Sequence, residues 1–154
     1  MNAHPADLLV HHPEKQLSAK AAAFAAKKKQ LYIGGKFTDA SDGGTFTSED
    51  PATGKTICEF AEATREEVDR AVRAADEAFE NHWRDMAPAG RSALLHKLAD
   101  LIMENVDELA ELESLDAGKP VAVARALDIP FTAEILRYYA GWATKLSGKT
   151  FNLS

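Results

Sequence analysis

The chain has 154 residues, of which 45% are hydrophobic and 27% are charged, a composition typical of one globular domain with its own core. Its formal net charge of -6 argues against a nucleic acid or an anionic membrane as partner, because both require a basic face. A single cysteine excludes an internal disulfide, and no apolar run approaches the roughly 20 residues of a membrane helix, so we expect a cytoplasmic protein.

Residues 1–30 are expected to form an appended amino-terminal arm. The acids Asp7 and Glu14 and the lack of a long apolar core argue against a secretory signal or a transit peptide. Apolar residues at helical spacing predict a short helix between Glu14 and Lys29. Three histidines suggest a metal site, but a flexible arm makes this the weaker interpretation. These histidines are His4, His11 and His12.

A small antiparallel β unit is predicted next. Leu31–Ile33 and Lys36–Phe37 flank a Gly-Gly pair, the pattern of two strands joined by a tight turn. Two further β-prone segments, Thr45–Thr47 and Thr56–Phe60, are separated by the turn-forming sequence Asp50–Gly54. A unit of this size is too small to be stable by itself.

The rest of the chain is predicted to be helical. Thr64 and Glu67 have the spacing of a capping box that begins the first long helix. Pro88 begins the second, since its missing amide hydrogen has no partner in a first helical turn. Asn105, with Glu108 three residues later, indicates a second capping box that divides the long apolar pattern there.

Two more helices are predicted towards the carboxyl end. Gly118 ends the preceding helix, and a short helix follows over about Pro120–Leu127. Asp128 is the predicted N-cap of the last helix, which we expect to end at Gly148. Residues 149–154 are expected to begin a strand whose partner is not encoded here.

No complete active site is visible in the residues alone. Cys58 lies in a predicted strand without a neighbouring cation, base or helix N-terminus, which favours packing over nucleophilic catalysis. His82 and His96 are tied to no nucleophile. Phosphate-binding and dinucleotide-binding glycine motifs are absent from the sequence. We therefore predict no catalytic and no cofactor-binding residue in this chain.

Six motifs occur in order between Leu31 and Ser154. They are Tyr32–Phe37, Asp50–Gly54, Arg91–Ile102, Leu112–Pro120, Arg137–Ala143 and Gly148–Thr150. Together they resemble the amino-terminal portion of the NAD(P)-dependent aldehyde dehydrogenase superfamily, with Asp50 where the family's "NPATG" turn has Asn. Residues 126–130 and the last six residues look similar to phenylacetaldehyde dehydrogenases.

The resemblance implies an α/β fold of which this segment is the mostly α-helical start, with a small antiparallel β unit near the amino terminus. Residues 31–148 would belong to a Rossmann-like cofactor-binding domain, and residues 149–154 would begin a truncated oligomerisation strand, hence a homo-oligomer. NAD or NADP would be the cofactor and a small-molecule aldehyde the substrate. The catalytic cysteine, the general-base glutamate and the cofactor loops of the family lie further along than this chain.

Two sets of site residues follow from the same resemblance. Many family members bind a structural monovalent cation, K or Na, through oxygens at positions that match Ser48, Glu49 and Asp116. Alternatively, Asp116 caps the neighbouring backbone at the helix end. The substrate tunnel wall of relatives includes side chains at positions that match Leu127, Asp128 and Phe131. Alternatively, Phe131 is an ordinary core residue.

The leading functional prediction is therefore the amino-terminal part of an enzyme that converts an aldehyde, NAD(P) and water to a carboxylic acid, inactive as this chain alone. One alternative is a non-enzymatic helical remnant or regulatory module that associates with full-length relatives. A small hydrolase that uses Cys58 is a third and remote reading.

Overall fold

The computed structural model describes residues 16–151. This part of the chain is mostly helical, and its short strands form small antiparallel sheets. In chain order the elements are α1 (Ala19–Ala25), β1 (Leu31–Ile33), β2 (Lys36–Thr38), β3 (Thr45–Glu49), β4 (Thr56–Ala61), α2 (Arg65–Ala78), a π-helical turn (Phe79–Trp83), α3 (Pro88–Glu104), α4 (Val106–Ala117), α5 (Val121–Val123), a second π-helical turn (Ala124–Asp128) and α6 (Ile129–Trp142).

The strands pair as two separate hairpins, whereas the sequence predicts a single unit. β1 pairs with β2 through Gly34 and Gly35, whose φ angles of 58° and 81° need glycine. The Cβ of Ala74 lies 3.8 Å from where a Gly34 side chain would begin, so this hairpin lies on α2. β3 pairs with β4, and their register shifts between Ser48 and Glu49. The predicted strands are present, but they form two hairpins, and the first of them lies against α2.

The helix predicted between Glu14 and Lys29 is present but confined to α1. Ser18 caps it by accepting from the amide of Ala21, and its own amide donates to Glu111 Oε2 of α4 at 2.8 Å. Lys29 then joins the edge of β4, where its amide donates to the Glu59 carbonyl at 2.8 Å. The amino-terminal segment is thus attached to both α4 and β4. The three predicted histidines fall outside the described residues: His4, His11 and His12.

Local signals predict correctly where α2 and α3 begin and where α4 ends. The capping box of Thr64 and Glu67 is present at the start of α2, and Pro88 is the first residue of α3. α4 ends at Gly118, which has the left-handed conformation with φ of 74°. A side chain at this position would approach Pro51 Cγ to 2.9 Å. Gly118 is therefore required both by its backbone angle and by the packing of a neighbouring turn.

The second predicted capping box is wrong, although α3 and α4 do separate at Asn105. Asn105 Oδ1 accepts from Lys20 Nζ at 2.8 Å, and its amide group donates to the Leu101 carbonyl at 2.8 Å. The carboxylate of Glu108 forms an ion pair with Lys20 as well. The side chains of both residues of the expected box thus bind Lys20 of α1, and the side chain of Asn105 does not cap α4.

The predicted N-cap at Asp128 is also wrong. Asp128 has helical dihedral angles (φ of -64° and ψ of -49°) and makes no side-chain cap bond. Helical structure instead continues from α5 through the second π-helical turn into α6. The carboxylate of Asp128 accepts from Lys119 Nζ at 2.9 Å, which removes it from the helix end.

α6 ends at Trp142, six residues before the predicted stop at Gly148. The amide of Lys145 donates to the Trp142 carbonyl, three residues back, at 2.9 Å, so a tighter turn follows the last α-helical turn. Residues 149–151 have no regular secondary structure, and residues 152–154 lie outside the described residues.

The fully buried apolar residues in the described range are nearly all alanines, and many large apolar side chains are exposed. α3 packs along α6, and the buried residues of these two helices are Ala99, Ala133 and Ala140. Between residues 16 and 151, none of the helices has the length and apolar character needed to cross a bilayer. One stripe of exposed apolar residues, here called the α6 outer face, consists of Leu127, Phe131, Ile135, Tyr138 and Trp142.

Candidate functional site

Two of the three predicted cation ligands lie side by side. Ser48 is half-buried on β3, and its Oγ donates to Asp116 Oδ1 of α4 at 3.0 Å. The register shift of the β3–β4 pair falls between Ser48 and Glu49, the third predicted ligand. Such a bulge interrupts the regular ladder of main-chain hydrogen bonds. The structure therefore brings oxygen-bearing side chains 68 residues apart in sequence to one place.

The turn after β3 is held by the buried carboxylate of Asp50. Its Oδ1 accepts from the amide of Ala52 at 2.9 Å, and its Oδ2 accepts from Thr53 Oγ1 at 3.0 Å. Both oxygens act as acceptors, so an Asp fulfils these bonds where the family pattern has Asn. Pro51 in the same turn packs against Gly118. We call residues 48–54 and 114–120 together the turn–helix junction.

A buried serine closes the helical side of this junction. Ser114 is only 1% exposed, and its Oγ donates to the Lys119 carbonyl at 2.6 Å. The ammonium group of Lys119 donates to Glu113 Oε1 at 2.8 Å and to Asp128 Oδ2 at 2.9 Å. Hydrogen bonds with Glu113 and then Asp128 raise the pKa of Lys119 above its ordinary value. Lys119 therefore links α4 to the second π-helical turn as a cation.

The three predicted substrate-channel residues lie in or beside that π-helical turn, in two different environments. Leu127 is 63% exposed and Phe131 is 62% exposed, four residues apart on the α6 outer face. Asp128 is directed to Lys119 instead. Ala124 and Ala133 on the same helical segment are fully buried. This helical segment thus buries small residues, whereas the two large side chains predicted to line the substrate channel are exposed.

The thiol and the two histidines within residues 16–151 lie on separate elements. Cys58 is buried on β4, where it is the register partner of Ser48. His82 and His96 are exposed on the first π-helical turn and on α3. Among residues 16–151, no group of three or more His, Cys, Asp or Glu side chains is arranged as a metal site.

The contacts of Ser114 and Lys119 were missed by sequence reasoning. Lys119 lies six residues after Glu113 and nine before Asp128, and neither separation matches the helical period that this region shows. The signal that was available is the Gly118 stop itself. A chain reversal after a helix returns the following side chains to the last helical turn.

The sequence pattern of the aldehyde dehydrogenase family matches residues 37–154. DhaS, a Bacillus subtilis (strain 168) protein, is 47% identical over 90% of this chain and 28% of its own length. The human mitochondrial aldehyde dehydrogenase is 45% identical over 79% of this chain and 24% of its own length.

The fold is also similar to that of a solved structure, the NAD+ complex of the Bacillus cereus aldehyde dehydrogenase. It superimposes with a TM-score of 0.85 at 46% identity, over 90% of this chain and 28% of that one. The chain spans less than a third of the length of each of these relatives. The match extends over most of the chain in both sequence and fold, and the chain belongs to the aldehyde dehydrogenase family.

Proposed function

We propose that this chain is the amino-terminal part of an NAD(P)-dependent aldehyde dehydrogenase, which converts an aldehyde, NAD(P) and water to a carboxylic acid. The observation that carries the proposal is the continuous match to aldehyde dehydrogenases, 45–47% identical, over most of the chain. That the Bacillus cereus relative was solved as an NAD+ complex supports a nicotinamide cofactor. In this family a thiolate attacks the carbonyl carbon and hydride leaves for the cofactor, after which water releases the acid.

We infer that this segment contributes scaffold to the complete enzyme. Cys58 is buried within a hairpin, and a nucleophilic thiol needs both access and a group that lowers its pKa. We propose that residues 31–148 form part of the cofactor-binding domain and that residues 149–154 begin the oligomerisation strand. Homo-oligomeric assembly and a cytoplasmic location are part of the same proposal.

We propose a monovalent-cation site at Ser48, Glu49 and Asp116. The donors suit K or Na, which prefer oxygen ligands, and a hydroxyl and a carboxylate already meet there. The bulge beside Glu49 supports the proposal, because it removes main-chain groups from the regular ladder. A cation bound there would join β3 to the end of α4 and stiffen the turn–helix junction.

We also propose that Leu127, Asp128 and Phe131 form part of the aldehyde entry path. What supports this is the exposure of Leu127 and Phe131 on one side of a helix that is otherwise seated by alanines. Such large side chains give a pocket its discrimination between substrates of different size.

The proposal is tested with the complete enzyme, obtained by extending the reading frame beyond residue 154. The purified protein should reduce NAD or NADP in the presence of an aldehyde and release one equivalent of the acid. A protein that binds full-length relatives but oxidises no aldehyde would support the alternative, a non-enzymatic helical module.

A further inference from the structure

The second π-helical turn is an irregular helical segment that contains two residues of the proposed entry path, Leu127 and Asp128. The amide of Ile129 donates to the carbonyl of Ala124, five residues back, where an α-helix would bond four residues back. The turn therefore accommodates one extra residue, which rotates the side chains that follow relative to those before. Turns of this kind are uncommon and are found frequently at functional sites.

Two ion-paired contacts hold this turn to α4: Arg125 pairs with Asp107 at 2.9 Å, and Asp128 belongs to a cluster centred on Lys119. Lys119 Nζ lies 2.9 Å from Asp128 Oδ2 in the turn and 2.8 Å from Glu113 Oε1 in α4. The Lys119 backbone is fixed as well, because its carbonyl accepts from the buried Ser114. All three charged side chains are between 33% and 40% exposed, so solvent only partly screens them.

Removal of the lysine charge would place two carboxylates together without their common partner. Glu113 and Asp128 would then repel each other, which favours movement of the turn away from α4. The carbonyl of Asp128 is also held from the other side, where it accepts from Thr132 Oγ1 at 2.8 Å. The turn is thus fixed to α4 by Lys119 and Arg125, and on its other side it continues into α6, but only Lys119 bonds Asp128 between the two large side chains.

We propose that Lys119 is a positioning residue that sets the aldehyde selectivity of the complete enzyme. Leu127 precedes Asp128 in the turn and Phe131 follows it in the first turn of α6. A shift of Asp128 therefore moves both large side chains of the entry path. This inference rests on the proposed function, since it needs an aldehyde that passes these residues.

The test compares Lys119→Met and Lys119→Arg in the complete enzyme. The Met variant keeps the aliphatic stem but loses the charge, and it should change the kcat/KM ratio of benzaldehyde to acetaldehyde by up to about fivefold, the upper range for a partly exposed ion pair. The Arg variant should restore the wild-type ratio. Amide hydrogen exchange in residues 124–132 should accelerate in the Met variant alone.

Arg137→Met is the matched control, because Arg137 forms a similar pair with Asp100 between α6 and α3 at 2.8 Å. It should change thermal stability and leave the kcat/KM ratio unchanged. If Phe131→Ala shifts the ratio while Lys119→Met leaves both ratio and exchange unchanged, Lys119 has no positioning role and the proposed function stands. A wild-type enzyme that oxidises neither aldehyde would contradict the proposed function and this inference together.

Discussion

The turn–helix junction and the α6 outer face differ in how far their side chains find partners within this chain. In the junction, Asp50, Ser114 and Asp116 each accept or donate a hydrogen bond that closes within the chain. On the α6 outer face, large apolar side chains such as Tyr138 and Trp142 are exposed. The polar pairs of the junction therefore close within this segment, whereas the apolar face is left exposed, which is typical of a surface that contacts a partner or a ligand.

The largest effect is expected from Gly118→Ala in the junction. The left-handed backbone conformation and the 2.9 Å approach to Pro51 Cγ both oppose a side chain there. We expect the free energy of unfolding of the complete enzyme to fall by about 2–3 kcal/mol, from strained backbone plus overpacking. Thermal or urea unfolding measures this change.

Gly54→Ala is the matched control for this prediction. Gly54 has a φ of 69° but nothing within 4 Å of its would-be side chain, so it carries the strain without the clash. Its cost should be about 1 kcal/mol, the backbone part alone. Equal costs for the two variants would show that Pro51 does not pack against Gly118.

Phe131→Ala tests the α6 outer face in the complete enzyme. If Phe131 lines the entry path, the kcat/KM ratio between bulky aryl and short aliphatic aldehydes should change by a factor that corresponds to about 1–3 kcal/mol of discrimination. Steady-state kinetics with one aldehyde of each class measures the ratio. Loss of thermal stability with both substrates affected equally would instead make Phe131 a core residue.

Thr64→Ala should destabilise the complete enzyme by about 1 kcal/mol, the usual cost of losing a helix cap. Its partner Glu67 adds a pH dependence, because bonds from Thr64, foremost, and from Ser41 lower the pKa of Glu67 from 4.5 to about 2. A lowered carboxylate pKa stabilises the folded state above pH 4.5, and the stabilisation is lost as the pH falls towards 2.

Glu67→Gln makes this pH dependence measurable. The difference in urea midpoint between wild type and variant should be constant at neutral pH and should shrink below pH 4.5. A difference that persists unchanged into acid would mean that Glu67 acts through packing and not through its charge.

The smallest effect is expected from the cation. Replacing sodium by a bulky organic cation should lower the melting temperature of the complete enzyme by a few degrees, since a bound ion stabilises the folded state by mass action. Asp116→Ala should remove this sensitivity, whereas Asp107→Ala, at the exposed start of α4, should keep it. Identical melting of wild type in all salts would exclude a cation at the junction.

Elements whose signals are local were predictable from the sequence, and those decided by distant contacts were not. The box of Thr64 and Glu67 and the stop at Gly118 depend on residues within one helical turn. The same reasoning failed at Asn105 and Asp128, where Lys20 and Lys119 occupy the side chains that should have capped. A competing partner outside the helix leaves no trace in a capping pattern, whether it lies 85 residues away, as Lys20 does, or nine, as Lys119 does.

The candidate site shows the same division. The resemblance led to Ser48 and Asp116, and their hydrogen bond depends on how β3 approaches α4, which no spacing rule supplies. The ion pairs of Lys119 and the π-helical turn beside Asp128 were not foreseen. An added residue in a helical turn changes the side of the helix on which the following side chains lie. It leaves the composition unchanged, so periodicity alone does not reveal it.

The most direct test of the central claim is to measure NADH formation by purified residues 1–154 with several aldehydes. We predict no turnover, because hydride transfer needs a cofactor held against the substrate and the role proposed for this segment is scaffold. Cys58 is buried and without an activating arrangement. Turnover that survives purification and disappears in Cys58→Ser would contradict the account, since it would demonstrate a complete active site within this chain.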